Sequence, residues 1–185
     1  MAQASLFTLP NLVSTSRFAL ALGFVAADAV AVRLALIGVA SVTDALDGWL
    51  ARRTKVVSRF GALLDPLADR FFVLAVVLSY VAGGQFTPLQ AGMVLFRDVM
   101  SIIGFFVARN VSWLRTIPFS ARMIGKLVTG AQLLMFVAVL LRPALTGVMV
   151  LLVFALGVAA TVDYSLMLWR ERTREGQKER SKEGK

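Results

Sequence analysis

Six long apolar runs make up most of this 185-residue chain, and no other feature constrains its fold as strongly. Their approximate bounds are 12–32, 34–51, 62–82, 86–108, 123–141 and 144–168. A helix needs about 20 apolar residues to cross the hydrocarbon core of a bilayer. The chain is 58% hydrophobic, whereas soluble domains average about 45–50%. The sequence therefore predicts an all-α integral membrane protein with six transmembrane helices.

The distribution of positive charge predicts how these helices are oriented. Lys and Arg residues concentrate in the connectors after the second and fourth runs and in the segment after the sixth. The other three connectors carry only Arg33, no charge, and Arg142. Since Lys and Arg accumulate on cytoplasmic loops, both termini and the two basic connectors are predicted to be cytoplasmic. We expect a multi-pass protein of the inner (plasma) membrane, with a membrane domain at 1–169 and a basic, disordered cytoplasmic tail at 170–185.

The residue types that are missing narrow the chemistry. The chain has no cysteine and no histidine, which excludes disulfides, thiolate catalysis, imidazole bases and metal sites built on either residue. The net charge of +9 is explained first by attraction to anionic lipid headgroups and second by a pocket for a phosphate-bearing substrate. Nucleic acid is not expected as a partner. No cleaved signal peptide is predicted, because the first ten residues carry no positive charge.

Four of the seven aspartates lie within one 26-residue window around the second connector. They are Asp44, Asp47, Asp65 and Asp69. An ionised aspartate near the bilayer centre costs about 2.5–3.5 kcal/mol, so these four are expected near a membrane surface or with their charge neutralised. Helical spacing puts the first two on one face of the second helix and the last two on one face of the third. Four converging carboxylates predict hard divalent cations, Mg²⁺ or Mn²⁺, as two ions about 3.5–4 Å apart.

Small residues share the two aspartate faces. They are Gly48, Ala51 and Gly61. They either open space for a ligand beside the ions or let the two helices pack closely, and the two roles are compatible. An alternative for the aspartates is a set of buried ion pairs with the neighbouring arginines Arg52, Arg53 and Arg70.

From Asp44 to Asp69 the chain reads D-x2-D-G-x2-A-R-x8-G-x3-D-x3-D. This pattern resembles, at all eight fixed positions, the signature of the CDP-alcohol phosphatidyltransferases. The resemblance extends over about residues 8–168. Further segments similar to this family are Pro10-Asn11 with Arg17, Arg97-Asp98, Gly125-Lys126-x2-Thr129-x2-Gln132 and Asp163-Tyr164.

The resemblance implies a six-helix membrane enzyme, usually a homodimer, that transfers the phosphatidyl group of CDP-diacylglycerol to an alcohol and releases CMP. By position, the four aspartates match the family's metal ligands, and Asp69 also matches the base proposed to deprotonate the acceptor hydroxyl. The three small residues match the cytidine site, and Arg52 matches the arginine on the diphosphate. The site is expected to face the cytoplasm, where CMP leaves while both lipids stay in the bilayer.

The acceptor alcohol is expected to bind the remaining intramembrane cations, Arg97, Arg122 and Lys126, in an anionic-ligand pocket. Alternatively, Arg97 forms an ion pair that helps the fourth helix to pack, and Lys126 extends to the membrane surface. The segment from Gly125 to Gln132 resembles the phosphatidylglycerophosphate synthases, whose acceptor is glycerol 3-phosphate. The Arg97-Asp98 segment instead resembles the cardiolipin synthases, whose acceptor is phosphatidylglycerol. Glycerol 3-phosphate is our first prediction and phosphatidylglycerol the alternative.

Two other classes of protein fit the sequence less well. An intramembrane prenyltransferase could bind a diphosphate through Asp65 and Asp69, but it needs a second aspartate-rich motif on a distant helix. A small cation transporter could use buried aspartates, but here the polar residues gather at one membrane side. Release of CMP from CDP-diacylglycerol separates all three classes.

Overall fold

A computed structural model describes the backbone of residues 9–54, 61–110 and 123–183. Side chains are described for residues 15–43, 46, 68, 70–104, 125, 127–167 and 169. Within these ranges the regular structure is entirely helical, which confirms the all-α prediction. The six α-helices are α1 (Leu9–Ala26), α2 (Val30–Thr54), α3 (Gly61–Ala82), α4 (Pro88–Asn110), α5 (Met123–Leu141) and α6 (Thr146–Glu183), and a 3-10 turn, Pro143–Leu145, precedes the last.

The third to fifth helices match their apolar runs closely, but the first connector was predicted at the wrong place. The chain leaves the helix at Ala27–Ala29, so Arg33 is not a connector residue and lies in the first turn of α2. Its Nε donates a hydrogen bond of 2.8 Å to the carbonyl oxygen of Ala27, and its guanidinium lies 5.2 Å from the centre of the Phe24 ring. These contacts hold Arg33 beside the turn, which consists of Ala27, Asp28 and Ala29.

The turn between α3 and α4 depends on one glycine. Gly84 has a φ of +72°, a left-handed conformation that glycine adopts without the steric cost other residues incur. The amides of Gln85 and Phe86 both donate to the carbonyl oxygen of Tyr80. These bonds satisfy an otherwise unpaired carbonyl at the end of α3.

The described backbone forms two compact units. The first unit holds α1, α2, α3, the start of α4, the second half of α5 and the 3-10 turn. The second unit holds the rest of α4, the first half of α5 and nearly all of α6. The tail predicted at 170–185 continues α6 as a helix as far as Glu183.

Aromatic side chains form the core of the first unit around Tyr80, which is fully buried. Its ring meets Phe24, Phe86 and Phe136 edge to face, with centroids 5.2–5.9 Å apart. Its hydroxyl donates a hydrogen bond of 2.7 Å to the carbonyl oxygen of Phe136. The hydroxyl is therefore satisfied inside an apolar core, where an unpaired polar group would cost about 1–3 kcal/mol.

The contacts also fix the helix directions in this unit. Phe18 of α1 packs against Phe71 of α3 at 4.9 Å, and further along Phe24 packs against Tyr80 at 5.9 Å. Both helices therefore run the same way. The short turn after α1 sends α2 back in the opposite direction, since a β-carbon on Gly23 would meet the Leu36 side chain at 3.7 Å.

One described segment, Pro143–Met167, is long and apolar enough to cross a membrane. Among the described side chains, four further helical segments are apolar over 10–17 residues. They are Thr15–Ala26, Val30–Thr43, Arg70–Ala82 and Leu127–Leu141. The described residues form six α-helices, and six membrane spans remain a prediction.

Candidate active site

The aspartate window occupies the end of α2 and the beginning of α3. Asp44 and Asp47 lie in the C-terminal half of α2, and Asp65 and Asp69 lie in the first turns of α3. The side chains of all four lie outside the described residues. Their backbone positions are helical, so the pattern read from the sequence does fall on two helices.

Helical register places these four positions on the inward faces of their helices. Seven residues make about two turns, so positions seven apart share a face. Asp44 and Asp47 each follow a buried residue of α2 by seven positions, and Asp65 and Asp69 each precede a buried residue of α3 by seven. Those buried residues are Ile37, Ala40, Phe72 and Val76.

The helix directions bring the four positions to one end of the first unit. The Gly23–Leu36 contact aligns α2 with α1, and the Phe18–Phe71 contact aligns α3 with α1. Counting from these contacts at a rise of about 1.5 Å per residue, Asp44 lies near the axial level of Ala68, and Asp47 lies near that of Asp65. The four backbone positions therefore share an axial level to within about one helical turn, roughly 5 Å. The fold supplies this coincidence because α2 runs opposite to α1 and α3.

The remaining predicted donor-site residues occupy the same two helix ends. Gly48, Ala51 and Arg52 lie in the last turns of α2, and Gly61 is the first residue of α3. Their side-chain surroundings lie outside the described residues. Among described side chains, no group of three acidic residues could hold a metal ion. The four aspartates offer only oxygen ligands, and this ligand type suits Mg²⁺ or Mn²⁺.

Arg17 received no role from the sequence, which showed it only beside Pro10-Asn11 in a segment similar to the family. It lies on α1, is 2% exposed, and shares an inward face with Ala21 and Phe24, which are fully buried. Phe18 of α1 packs against Phe71 of α3. Arg17 lies one residue before Phe18 and Asp69 lies two residues before Phe71, so the two positions have nearly the same level along the helix axes. An arginine inside an apolar run was the available signal, since such a charge is rarely placed there without a function.

A second polar cluster lies in the second unit, where α4 meets α5. Arg97 donates two hydrogen bonds of 3.1 Å, from Nη1 to Thr129 Oγ1 and from Nη2 to the carbonyl oxygen of Gly125. The Asp98 carboxylate accepts a hydrogen bond of 3.3 Å from Gln132 Nε2 and lies 3.7 Å from Arg97 Nη1. Two motifs that stood apart in the sequence, Arg97-Asp98 and the Gly125 to Gln132 segment, are therefore one network.

The predicted acceptor residues are only partly described. Arg97 makes the ion pair with Asp98 that was its alternative interpretation, in addition to its bonds to α5. Lys126 lies in the first turn of α5, between two groups bonded to Arg97, and its side chain lies outside the described residues. Arg122 also lies outside them.

Comparison with known proteins shows which sequences this chain resembles. The sequence profile of the CDP-alcohol phosphatidyltransferase family matches residues 7–162. A cardiolipin synthase (CMP-forming) of Rattus norvegicus is 34% identical over 116 residues, covering 60% of this chain and 37% of the relative.

Two bacterial relatives are each named CDP-diacylglycerol–glycerol-3-phosphate 3-phosphatidyltransferase. The enzyme of Pectobacterium atrosepticum is 39% identical over 114 residues, covering 56% of this chain and 57% of the relative. That of Aquifex aeolicus is 37% identical over 109 residues, covering 55% and 61%. The match spans less than two thirds of the length of each of these relatives. Since the family profile covers most of the chain, the chain belongs to the CDP-alcohol phosphatidyltransferase family.

Proposed function

We propose that this protein transfers the phosphatidyl group of CDP-diacylglycerol to an alcohol and releases CMP, using two divalent ions, Mg²⁺ or Mn²⁺, held by the four aspartates. The observation that carries the proposal is the shared level and inward register of Asp44, Asp47, Asp65 and Asp69 at one end of the first unit. Family membership and the names of the relatives support the same reaction.

In this reaction the acceptor hydroxyl oxygen attacks the phosphatidyl phosphorus while the bond from that phosphorus to the CMP oxygen breaks. Asp69 accepts the hydroxyl proton, and CMP departs as the leaving group. Divalent ions would neutralise the charge that develops on the phosphate oxygens. The chain's own residues orient the donor, because Gly48, Ala51 and Gly61 leave room for the cytidine and Arg52 pairs with the diphosphate.

Arg17 completes the charge balance of this donor site. Two divalent ions offset four carboxylates, so a bound diphosphate needs further positive charge, and Arg52 alone supplies one. A second guanidinium near the level of Asp69, buried on an inward face, provides it without reorganisation when the substrate binds. The same charge lowers the repulsion among the carboxylates before the ions bind.

Exposed apolar side chains support a membrane location. Every described helix presents large hydrophobic residues on its outer surface, among them Leu22, Leu78, Leu134 and Leu151. Soluble proteins rarely expose apolar surface on such a scale, whereas lipid solvates it. We place the protein in the inner (plasma) membrane as a homodimer of six-span subunits. Both termini and the active site then face the cytoplasm.

The acceptor is glycerol 3-phosphate, so the product is phosphatidylglycerophosphate, an intermediate of phospholipid synthesis. Lys126 and Arg122 supply the positive charge that binds its phosphate. Two relatives named for glycerol 3-phosphate support this choice. The relative named cardiolipin synthase supports phosphatidylglycerol as the second candidate.

The test uses purified protein in nanodiscs with CDP-diacylglycerol and Mg²⁺ or Mn²⁺, offered each acceptor separately. CMP release and the mass of the lipid product are measured. We expect phosphatidylglycerophosphate, no turnover in excess chelator, and severe loss of turnover in Asp44→Asn, Asp47→Asn and Asp65→Asn. Full activity with chelator would overturn the two-ion proposal. Cardiolipin as the only product would move the acceptor to phosphatidylglycerol and leave the donor chemistry in place.

A further inference from the structure

We propose that Arg97 is a positioning residue, which fixes the first turns of α5 and through them the acceptor-binding Lys126, and is not itself a ligand of the acceptor. This inference rests on the proposed function. It revises the role that the sequence predicted for Arg97, and it follows from where the guanidinium is bound.

The two α5 groups bonded to Arg97 flank Lys126 in the chain. Nη2 binds the carbonyl oxygen of Gly125, one residue before Lys126, and Nη1 binds Thr129, three residues after it. Thr129 Oγ1 in turn donates a hydrogen bond of 3.2 Å to the same Gly125 carbonyl. The three groups form a closed triangle of hydrogen bonds that spans the turn containing Lys126.

The neighbouring contacts hold Arg97 in place. A β-carbon on Gly157 would lie 3.1 Å from Arg97 Cβ, so α6 approaches α4 closely at this residue. One residue further along α4, the Asp98–Gln132 bond joins the same two helices again, three positions beyond Thr129. Gln132 is buried. Its amide resists displacement because no water could form a hydrogen bond with it if the bond to Asp98 broke.

The electrostatics also favour positioning over direct binding. The side chain of Arg97 is 24% exposed, and the Asp98 carboxylate 3.7 Å away opposes its charge. A phosphate that bound Arg97 directly would compete with Asp98, with Thr129 and with a main-chain carbonyl. Arginine suits the bridging role because its planar fork donates to two acceptors at once, which a lysine ammonium does not reproduce in the same geometry.

A double-mutant cycle tests the inference. The variants are Arg97→Lys, Lys126→Gln and the combination, assayed for kcat/KM of glycerol 3-phosphate in the linear range and for the KM of CDP-diacylglycerol. If Arg97 acts through Lys126, Arg97→Lys lowers kcat/KM for the acceptor about tenfold, the value of roughly one charge-assisted hydrogen bond. It leaves the donor KM within about twofold, and it has no further effect once Lys126 is glutamine.

Two threonine variants guard against a simple folding defect. Thr129→Val removes one side of the triangle while leaving Arg97 intact, and we expect it to weaken the acceptor in the same direction. Thr161→Val is its matched control in α6, because Thr161 Oγ1 makes the same kind of bond to a glycine carbonyl, that of Gly157, at 2.9 Å. The control is expected to keep wild-type acceptor constants. Thermal unfolding in nanodiscs is recorded for every variant.

Three results would overturn the inference. Multiplicative effects of Arg97→Lys and Lys126→Gln would make Arg97 a direct ligand. An equal rise in the donor and acceptor constants would make its role purely structural, and so would an equal effect of Thr129→Val and Thr161→Val. Failure of the wild-type protein to release CMP with any acceptor would instead refute the proposed function.

Discussion

At the residue scale, charges in apolar helices carry most of the functional argument. Arg17, Arg97 and the four aspartates all lie within helices whose other residues are largely apolar. Each such charge inside the membrane costs several kcal/mol unless it is paired or binds a ligand, so these positions indicate functional sites. Arg97 and Asp98 show how the cost is met, because they pair with each other and form hydrogen bonds with polar groups of α5.

Asp69 is proposed as both metal ligand and base, and the two roles predict different losses. A general base contributes about 10²–10⁴-fold to turnover. Asp69→Asn is therefore expected to lower kcat by that range while CDP-diacylglycerol binding weakens much less, as measured by steady-state kinetics and by equilibrium binding in nanodiscs. A collapse of donor binding with normal kcat at saturation would leave Asp69 as a ligand only.

Removing the charge of Arg17 is expected to change the affinities for CDP-diacylglycerol and for Mn²⁺ differently. Replacing it by methionine keeps much of the volume and removes the charge, so the donor KM is expected to rise about tenfold or more, in line with a lost charge-assisted contact. Mn²⁺ binding, followed by electron paramagnetic resonance, is expected to hold or tighten because a nearby cation has gone. Arg17→Lys should recover part of the donor affinity.

Arg142→Met serves as the control for Arg17, since Arg142 is exposed beside the 3-10 turn. It should leave both affinities unchanged. Parallel loss of donor and Mn²⁺ binding in Arg17→Met would indicate general damage to the first unit and would contradict the charge-balance role.

At the element scale, close helix approach is controlled by particular glycines. A β-carbon on Gly157 of α6 would lie 3.1 Å from Arg97 Cβ, closer than an ordinary contact, whereas Gly130 of α5 faces open space. Both lie inside helices, where alanine has the higher intrinsic propensity. Comparing alanine substitutions at these two positions therefore separates the effect of tight packing on stability from the effect of helix propensity.

We expect Gly157→Ala to lower the free energy of unfolding by about 1–3 kcal/mol, the usual cost of overpacking a tight contact. Gly130→Ala should be neutral or should raise it by up to about 1 kcal/mol. Denaturant or thermal unfolding in detergent measures both. Equal stability of the two variants would show that α6 and α4 are not in close contact at Arg97.

At the scale of the whole molecule, the absence of cysteine makes the topology directly testable. A single cysteine can be introduced at Ala144, in the exposed turn before α6, or at Ser181, near the C-terminus. In spheroplasts of a bacterial host, a membrane-impermeant maleimide should label Ala144→Cys at once and Ser181→Cys only after permeabilisation. Labelling of both in intact spheroplasts would refute the cytoplasmic C-terminus, and with it the six-span orientation.

The sequence by itself determined the helices, their approximate ends and the aspartate faces. Helix formation and the 3.6-residue register are local, so the spacing from Asp44 to Asp69 is enough to place four carboxylates on two faces. The position of the first turn was predicted wrongly, although Asp28 lies within it, because the residues on both sides of Asp28 are apolar and the connector was placed at the next charge, Arg33. In the structure, the guanidinium of Arg33 packs against the Phe24 ring beside that turn.

Only the tertiary structure decided which of these helices meet, and at what level. The parallel course of α1 and α3 puts Arg17 near the axial level of Asp69, about 50 residues away in the chain. The partners of Arg97 lie 28 and 32 residues further on. Such contacts depend on the packing of whole helix surfaces, and residue spacing along one helix carries no information about its neighbour. The charge of Arg97 was visible in the sequence, but its role as a link between α4 and α5 follows from the fold.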